Sequence, residues 1–424
     1  MKKLHLLIIT LLLIPRAATA DKSGKCGENA TFCFSNETKT LTISGSGPMS
    51  NFSPSYYSPN TPWADFCGQI NAIIIEKGIS NIGDFAFYAC TNATSVSMPK
   101  SIKTIGDGAF YGCLGLVSIV IPEGVTSIGQ MAFSDCSNLS IIEFSNETRV
   151  IDENAFDGTA WYTNLPDGIV YAGKVAYKYK GVMPSNTSIS IKEGTLGISN
   201  KAFISCSELV SVYIPSSVTS IGRAAFANCS KLSSIEIPEG ITVINESTFY
   251  GCSRLTSVTL PQTLTSIEKK AFYLCISLSF ISIPEGTESI GESAFCNSMV
   301  ETVIIPNSLN YIGDNAFFLT PYLKHFYCLS ENIPTTGNDI FSLSTNNETI
   351  LHVPFFSVER YKATSPWNEF KDVVAIDYFD PVLTGINYNY NEQKEQNWYN
   401  LKGQRINVPR QGIYINNGKK VFKK

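Results

Sequence analysis

The chain has 424 residues, 44% hydrophobic and 12% aromatic, enough apolar material for a large core, which excludes a disordered polymer. Charged residues make up only 16% and the formal net charge is -4. There is no basic field of the kind that holds a phosphate backbone, so nucleic acid is not expected as a partner.

The chain begins Met1-Lys2-Lys3, followed by an apolar run from Leu6 to Ile14 and by "PRAATA", ending at Ala18-Thr19-Ala20. A basic start, a short apolar centre and small residues before the cut describe an export signal over 1–20. No later stretch reaches the roughly 18 to 20 apolar residues that a membrane span needs. The expectation is an exported protein without a transmembrane segment, secreted or held at the cell surface. Residues 21–75, with "LTISGSGPM" and "TPWADF", precede the first regular unit and read as an N-terminal cap. Cys26, Cys33 and Cys67 lie there, and one disulfide among them would leave a thiol over.

From 76 to 376 the chain repeats. Phe87, Phe110, Phe133 and Phe156 follow one another every 23 residues, as do Phe203, Phe226, Phe249, Phe272 and Phe295, with Phe317 after 22. The unit is close to V-T-S-I-G-x-x-A-F-x-x-C-x-x-L-x-x-I-x-I-P. Its L-x-x-I-x-I part alternates as a strand does, and a proline such as Pro122, Pro215 or Pro238 ends it. A coil this short can bury its Ile, Phe and Leu only against its neighbours, so identical coils must stack with their strands in parallel. Gly83, Gly106, Gly129, Gly222, Gly291 and Gly313 are expected at a turn with positive φ.

This motif resembles the leucine-rich repeat of the BspA-like, or treponemal-type, class of exported microbial surface proteins. The resemblance implies a β-rich solenoid, an arc of 23-residue coils with a parallel sheet, capped at both ends. Cys90, Cys113, Cys136, Cys206, Cys229, Cys252 and Cys275 each stand three residues after the repeat Phe. Similar repeats carry Asn or Cys in that slot. Equivalent side chains of stacked coils point in parallel, so these read as a ladder of buried free thiols, with Thr159 and Ser298 replacing Cys in two coils.

Residues 157–195 interrupt the repeat. Ile169 to Tyr171 and Val175 to Tyr179 alternate around Ala172-Gly173-Lys174, a hairpin signal. Its aromatics Trp161, Tyr162, Tyr171, Tyr177 and Tyr179 either seal the irregular coil or offer contact area. Near the end of the repeats, Val353-Pro354 closes a strand and Val358 to Lys362 forms a short helix. The tail, 377–424, carries a further hairpin signal at Asn416-Asn417-Gly418 and resembles the C-terminal sorting segment of exported Bacteroides-phylum proteins; its terminal lysines read equally as a solvated end.

Chemistry is sparse. The histidines are His5, His325 and His352, and there is no GxSxG, Walker loop or HExxH. Glu143 and Glu236 lie several coils apart, which does not make a facing carboxylate pair. No enzyme activity, cofactor or metal site is expected. The outward strand positions, which include Val120, Ile141, Ser211, Thr302 and Ile304, form a largely uncharged, hydroxyl-rich ribbon. The candidate contact face is Glu143, Tyr213, Ser234, Glu236, Ser257, Thr259 and Phe280. Such a surface suits a protein ligand, a host matrix or cell-surface protein, or a glycan, better than a small molecule in a deep pocket. The resemblance implies adhesion to host proteins or to other cells; the alternative is a structural or glycan-binding component of the envelope.

Overall fold

The computed structural model describes residues 22–53, 60–344 and 348–377, with the short segments 381–384, 398–399, 405–406, 412–416 and 419–423. The export signal expected over 1–20 lies outside the described residues. The chain divides into two compact units, 1–180 and 181–424. Each is a β-solenoid whose coils follow the sequence period.

In the first unit, strands Lys22–Lys25, Ala30–Ser35 and Thr40–Gly45 form an antiparallel meander. Its last strand runs parallel to Ala72–Ile75, which pairs with Ser95–Ser97, and Ser118–Val120 pairs in parallel with Ile141–Glu143. Alternation decides what is buried: Ile119 points into the core while Ser118 and Val120 face outward. A second parallel ladder joins Ile79–Ile82, Thr104–Ile105, Ser127–Ile128 and Val150–Ile151. Between the ladders Phe87, Phe110, Phe133 and Phe156 stack with ring centroids 5.2, 5.2 and 5.5 Å apart. All four are fully buried, and each buried ring contributes roughly 2 to 3 kcal/mol.

A third ladder runs through the A-F turns, where the residues two before and two after each Phe are left-handed. Phe85 and Ala89 have φ of 52° and 53°, and Met131 and Asp135 have 53° and 58°. Alternating right- and left-handed residues turn every second N–H to the same side. The N–H groups of Phe85, Phe87 and Ala89 accordingly donate to the carbonyls of Asp107, Ala109 and Tyr111, each at 2.7 Å. Those of Met131, Phe133 and Asp135 donate in the same sense to Glu153, Ala155 and Asp157.

The motif glycines do not have the positive φ expected of them. Gly106 and Gly129 lie outside the left-handed set, and their role is one of space. A Cβ on Gly106 would stand 2.7 Å from the backbone nitrogen of Asp84 and run into its side chain. Only glycine lets adjacent coils approach this closely without a shift.

Both ends of this unit are closed. At the start, the Phe52 N–H donates to the Asp84 carbonyl at 2.9 Å, and the Trp63 indole N–H donates to the Ala86 carbonyl at 2.8 Å. The Trp63 ring stacks on Phe87 at 5.7 Å. At the other end is the hairpin of Gly168–Ala172 and Val175–Lys180, its two-residue turn opened by Gly173 at φ 61°. Tyr177 is buried, and its hydroxyl accepts from the Phe156 N–H at 3.1 Å and donates to Asp157 at 3.0 Å. Trp161, Tyr162, Tyr171 and Tyr179 are half-buried. The insertion therefore seals its coil.

In the second unit, strands Thr187–Ser190, Leu209–Tyr213, Ser234–Glu236, Ser257–Thr259, Phe280–Ser282, Thr302–Ile305, His325–Cys328, Ile350–Val353 and Asp372–Ala375 follow one another. Thr187–Ser190 pairs with Leu209–Tyr213, Ser234–Glu236 with Ser257–Thr259, and each strand from Phe280–Ser282 to Asp372–Ala375 with the next, all parallel and in step with the repeat. Phe203 to Phe317 form a second stack with centroids 5.2 to 5.8 Å apart. Phe341 extends it at 6.1 Å although the A-F pair is gone from the sequence there. The helix Val358–Lys362 forms as expected, and Trp367 closes the core edge-on to Phe341 at 5.5 Å.

Ile304, an outward position by strand alternation, is not part of the exposed ribbon but fully buried. Ile376 and Leu383 pack over it and Tyr327 on the outer side of the sheet, forming a small second core. In the tail, Gly412–Asn416 pairs antiparallel with Lys419–Lys423; the turn at 417–418 lies outside the described residues.

The cysteine ladder needs one correction. Cys90 is not a free thiol: it is bonded to Cys67, with Cα atoms 5.0 Å apart, tying the cap to the first regular coil. Cys26 and Cys33 are free. In the other slots the thiols of Cys113, Cys136, Cys229, Cys252 and Cys275 donate to the carbonyl of the preceding coil's Phe at 3.0 to 3.2 Å. The shorter hydroxyls of Thr159 and Ser298 turn instead to the Phe carbonyl of their own coil. Burial pushes Cys206 up to about 11 and Cys275 up to about 12.

Candidate binding face

The outward side of the second unit's sheet is built from two columns. Because the strands pair in register, the first outward position of each coil stacks on the next: Ser188 beside Ser211, and Ser234 beside Ser257. The second outward position does the same, with Ser190 beside Tyr213 and Glu236 beside Thr259. Phe280 continues the first column and Ser282 the second on the next strand. Six of the seven predicted contact residues, Tyr213, Ser234, Glu236, Ser257, Thr259 and Phe280, are thus brought to one face over four successive strands. All six are exposed. With strands about 4.8 Å apart, the run from Tyr213 to Phe280 spans about 14 Å. Glu143 is exposed on the strand Ile141–Glu143 of the first unit, beside Val120, and belongs to that unit's own face.

The two ring side chains are the prominent points, Tyr213 being 55% and Phe280 40% exposed. Tyr213 is held in place: its hydroxyl donates to Glu193 at 3.1 Å. That bond, the charge of Glu193, slight desolvation and the charge of Glu236 push the phenol above its usual range, so it stays a protonated donor. Around it the hydroxyls are partly engaged with each other, as Ser211 to Ser188 at 2.8 Å shows. The face is rigid, shallow and rich in hydroxyls, with an acidic rim beside one phenol. It can hydrogen-bond and offer aromatic area, and among the described residues it contains no base or nucleophile arranged for covalent chemistry.

Two features of the second unit escaped sequence reasoning. Glu193 lies 20 residues before Tyr213, off the repeat period, so nothing in the pattern marks it as a partner. His325 and His352 come together, with Nδ1 of one 3.0 Å from Nε2 of the other. They stand 27 residues apart and in different outward columns, which hides the pairing.

This architecture of period-23 coils, parallel strands and a buried Phe column defines a leucine-rich repeat solenoid. The particular class follows from a match to the BspA type leucine rich repeat region over residues 63–182, 175–295 and 244–359. The chain belongs to that family, as the sequence motif implied. Among solved structures, it is similar to a leucine-rich repeat protein from Bacteroides ovatus, with 23% identity, covering 77% of this chain and 98% of that one at a TM-score of 0.37. It is also similar to a leucine rich cell surface protein from Faecalibacterium prausnitzii, at 22% identity, 74% and 96% coverage and a TM-score of 0.31. A third is the pneumococcal vaccine antigen PcpA, at 15% identity, 84% and 100% coverage and a TM-score of 0.35. No curated protein matches the chain. Among the described residues no helix is long and apolar enough to cross a membrane.

Proposed function

We propose that this protein is exported to the cell surface and acts there by adhesion, binding a protein of the host matrix or of another cell through the outward sheet face of its second unit. The observation that carries this is the grouping of Tyr213 and Phe280, both exposed, on a rigid ribbon of Ser211, Ser234, Ser257 and Thr259. Aromatic anchors set among small hydroxyl side chains supply contact area with little rotamer entropy to lose and a rim able to hydrogen-bond. Membership of the BspA type family supports a binding role, because stacked repeats present extended surfaces for contact.

The test is a screen of the purified chain against immobilised matrix proteins and, in parallel, polysaccharides. Saturable protein binding is expected, and Tyr213→Ala with Phe280→Ala weakens it by on the order of 100-fold or more, since an anchor of this kind is worth roughly 2 kcal/mol. Binding to glycans alone refutes the protein ligand and establishes the envelope reading. Turnover of any substrate that vanishes with one carboxylate substitution refutes both.

A further inference from the structure

The histidine pair of the second unit lies outside the proposed contact face. His325 and His352 are, apart from His5, the only histidines of the chain, and the fold brings them together from strands His325–Cys328 and Ile350–Val353. We propose that they form a binding site for a divalent transition metal of the Ni2+ or Cu2+ type, with His325 Nδ1 and His352 Nε2 as adjacent ligands.

The geometry favours such an ion. The two nitrogens are 3.0 Å apart, and with metal–nitrogen bonds of about 2.05 Å that separation subtends about 94° at the metal. A right angle between neighbouring ligands belongs to square-planar and tetragonal sites, the preference of Cu2+ and Ni2+; the tetrahedral angle that zinc takes would require the rings to move apart. Imidazole is a suitable donor for these ions: the proton that bridges the pair moves to the other ring nitrogen of the histidine that carries it, and both facing nitrogens then offer a lone pair.

The pair is also pre-positioned. His352 stacks on Tyr327 with ring centroids 4.2 Å apart and planes within 13°. Tyr327 is itself buried beneath Ile376 and Leu383, so that ring is fixed from below. Both histidines are half-buried, so neither is shut away from solvent. The nearest cation in sequence, Lys324, is paired with Glu301 at 2.7 Å, and Asp372 follows Ile350 in the outward column of the next strand. Among the described residues no third His, Cys, Asp or Glu completes the set.

Ni2+ is the probe of choice, because free thiols, such as the half-buried Cys33 and Cys206, reduce Cu2+. Titration of the full chain with Ni2+ is expected to show one equivalent bound, at least about tenfold weaker in His325→Ala and in His352→Ala and unchanged in His5→Ala. Proton NMR of the unsubstituted chain gives a readout that no folding defect disturbs: bound Ni2+ broadens the ring signals of two of the three histidines. Absence of binding overturns the assignment. Binding that survives both single substitutions marks an adventitious ion only and overturns it equally.

Discussion

Replacing Tyr177 with Phe removes one oxygen atom and tests whether the hairpin insertion acts as a hydrogen-bonded lid on the first unit. The ring contacts to Phe156 at 5.5 Å and Tyr162 at 6.0 Å persist in the variant, so no cavity opens. What is lost is the acceptor for the Phe156 N–H, which sits at a fully buried position. Burial together with the neighbouring Asp157 charge keeps the Tyr177 hydroxyl protonated, so it accepts from Phe156 while donating to Asp157. Asp157 retains Lys178 at 2.7 Å. The expected penalty is that of one orphaned buried N–H, about 1 to 3 kcal/mol. Since about 1.4 kcal/mol is a factor of ten, local opening becomes roughly 5- to 150-fold more frequent. Native-state hydrogen exchange followed by mass spectrometry reports this directly in peptides covering 150–180. Tyr88→Phe, a half-buried position in the same unit with no capping bond, is the control and leaves exchange unchanged. Exchange within twofold of the parent in Tyr177→Phe would sink the capping account.

The two phenylalanine classes separate cleanly in urea unfolding: Phe226→Ala in the buried stack costs about 3 to 5 kcal/mol, while Phe280→Ala on the exposed face costs less than about 0.5 kcal/mol. Gly129→Ala places a methyl 2.7 Å from the Asp107 backbone nitrogen, so its melting temperature drops by several degrees, and by more than in Gly112→Ala, where the nearest atom is 3.9 Å away and only the φ of 68° is unfavourable. Thiol titration in denaturant without reductant finds ten free cysteines, the two of the Cys67–Cys90 bond staying silent; twelve would refute the bond. Cys206 and Cys275 are raised from the ordinary thiol value of 9.0 to about 11 and about 12 by burial. The unfolded chain therefore loses these protons first, so the contribution of these two thiols to stability is constant below about pH 9 and is lost from there towards pH 11 to 12. A urea midpoint that stays flat to pH 11 contradicts this.

The period of the phenylalanines carried most of the fold, because a residue that recurs every 23 positions and is wholly apolar has nowhere to go but a shared interior. The turn ladder was illegible for the opposite reason. Its left-handed positions are filled by Phe85, Met131, Lys270 and Leu274, residues with no preference for that region, and the inter-coil hydrogen bonds override local propensity. The role of Gly106 is not legible, since a glycine required by a neighbouring coil looks the same in sequence as one required by its own φ. The face around Tyr213 was readable from strand alternation alone. Its limit at Ile304 was not, because the covering residues Ile376 and Leu383 come from beyond the repeat. The bond between Cys67 and Cys90 spans one 23-residue period but was hidden because Cys67 lies in the cap, outside the regular units, and the meeting of His325 with His352 because its 27-residue spacing departs from the period.

The direction of the turn ladder explains why the two ends of the first unit are closed by different chemistry. Every bond in it runs from an N–H to a carbonyl of the following coil, so a stack of such coils presents bare carbonyls at its start and bare N–H groups at its finish. The starting cap must donate, and Trp63, whose indole is a donor only, does so to Ala86. The finishing cap must accept, which an indole cannot do and the Tyr177 hydroxyl can. An unpaired group at either end would be a buried polar loss of the kind a repeat cannot dilute, because each coil contacts only its neighbours. The outward strand positions take no part in this accounting. Tyr213, Ser234, Ser257 and Phe280 neither fill the core nor bond in the turn ladder, so their identity is free to follow whatever the face must hold.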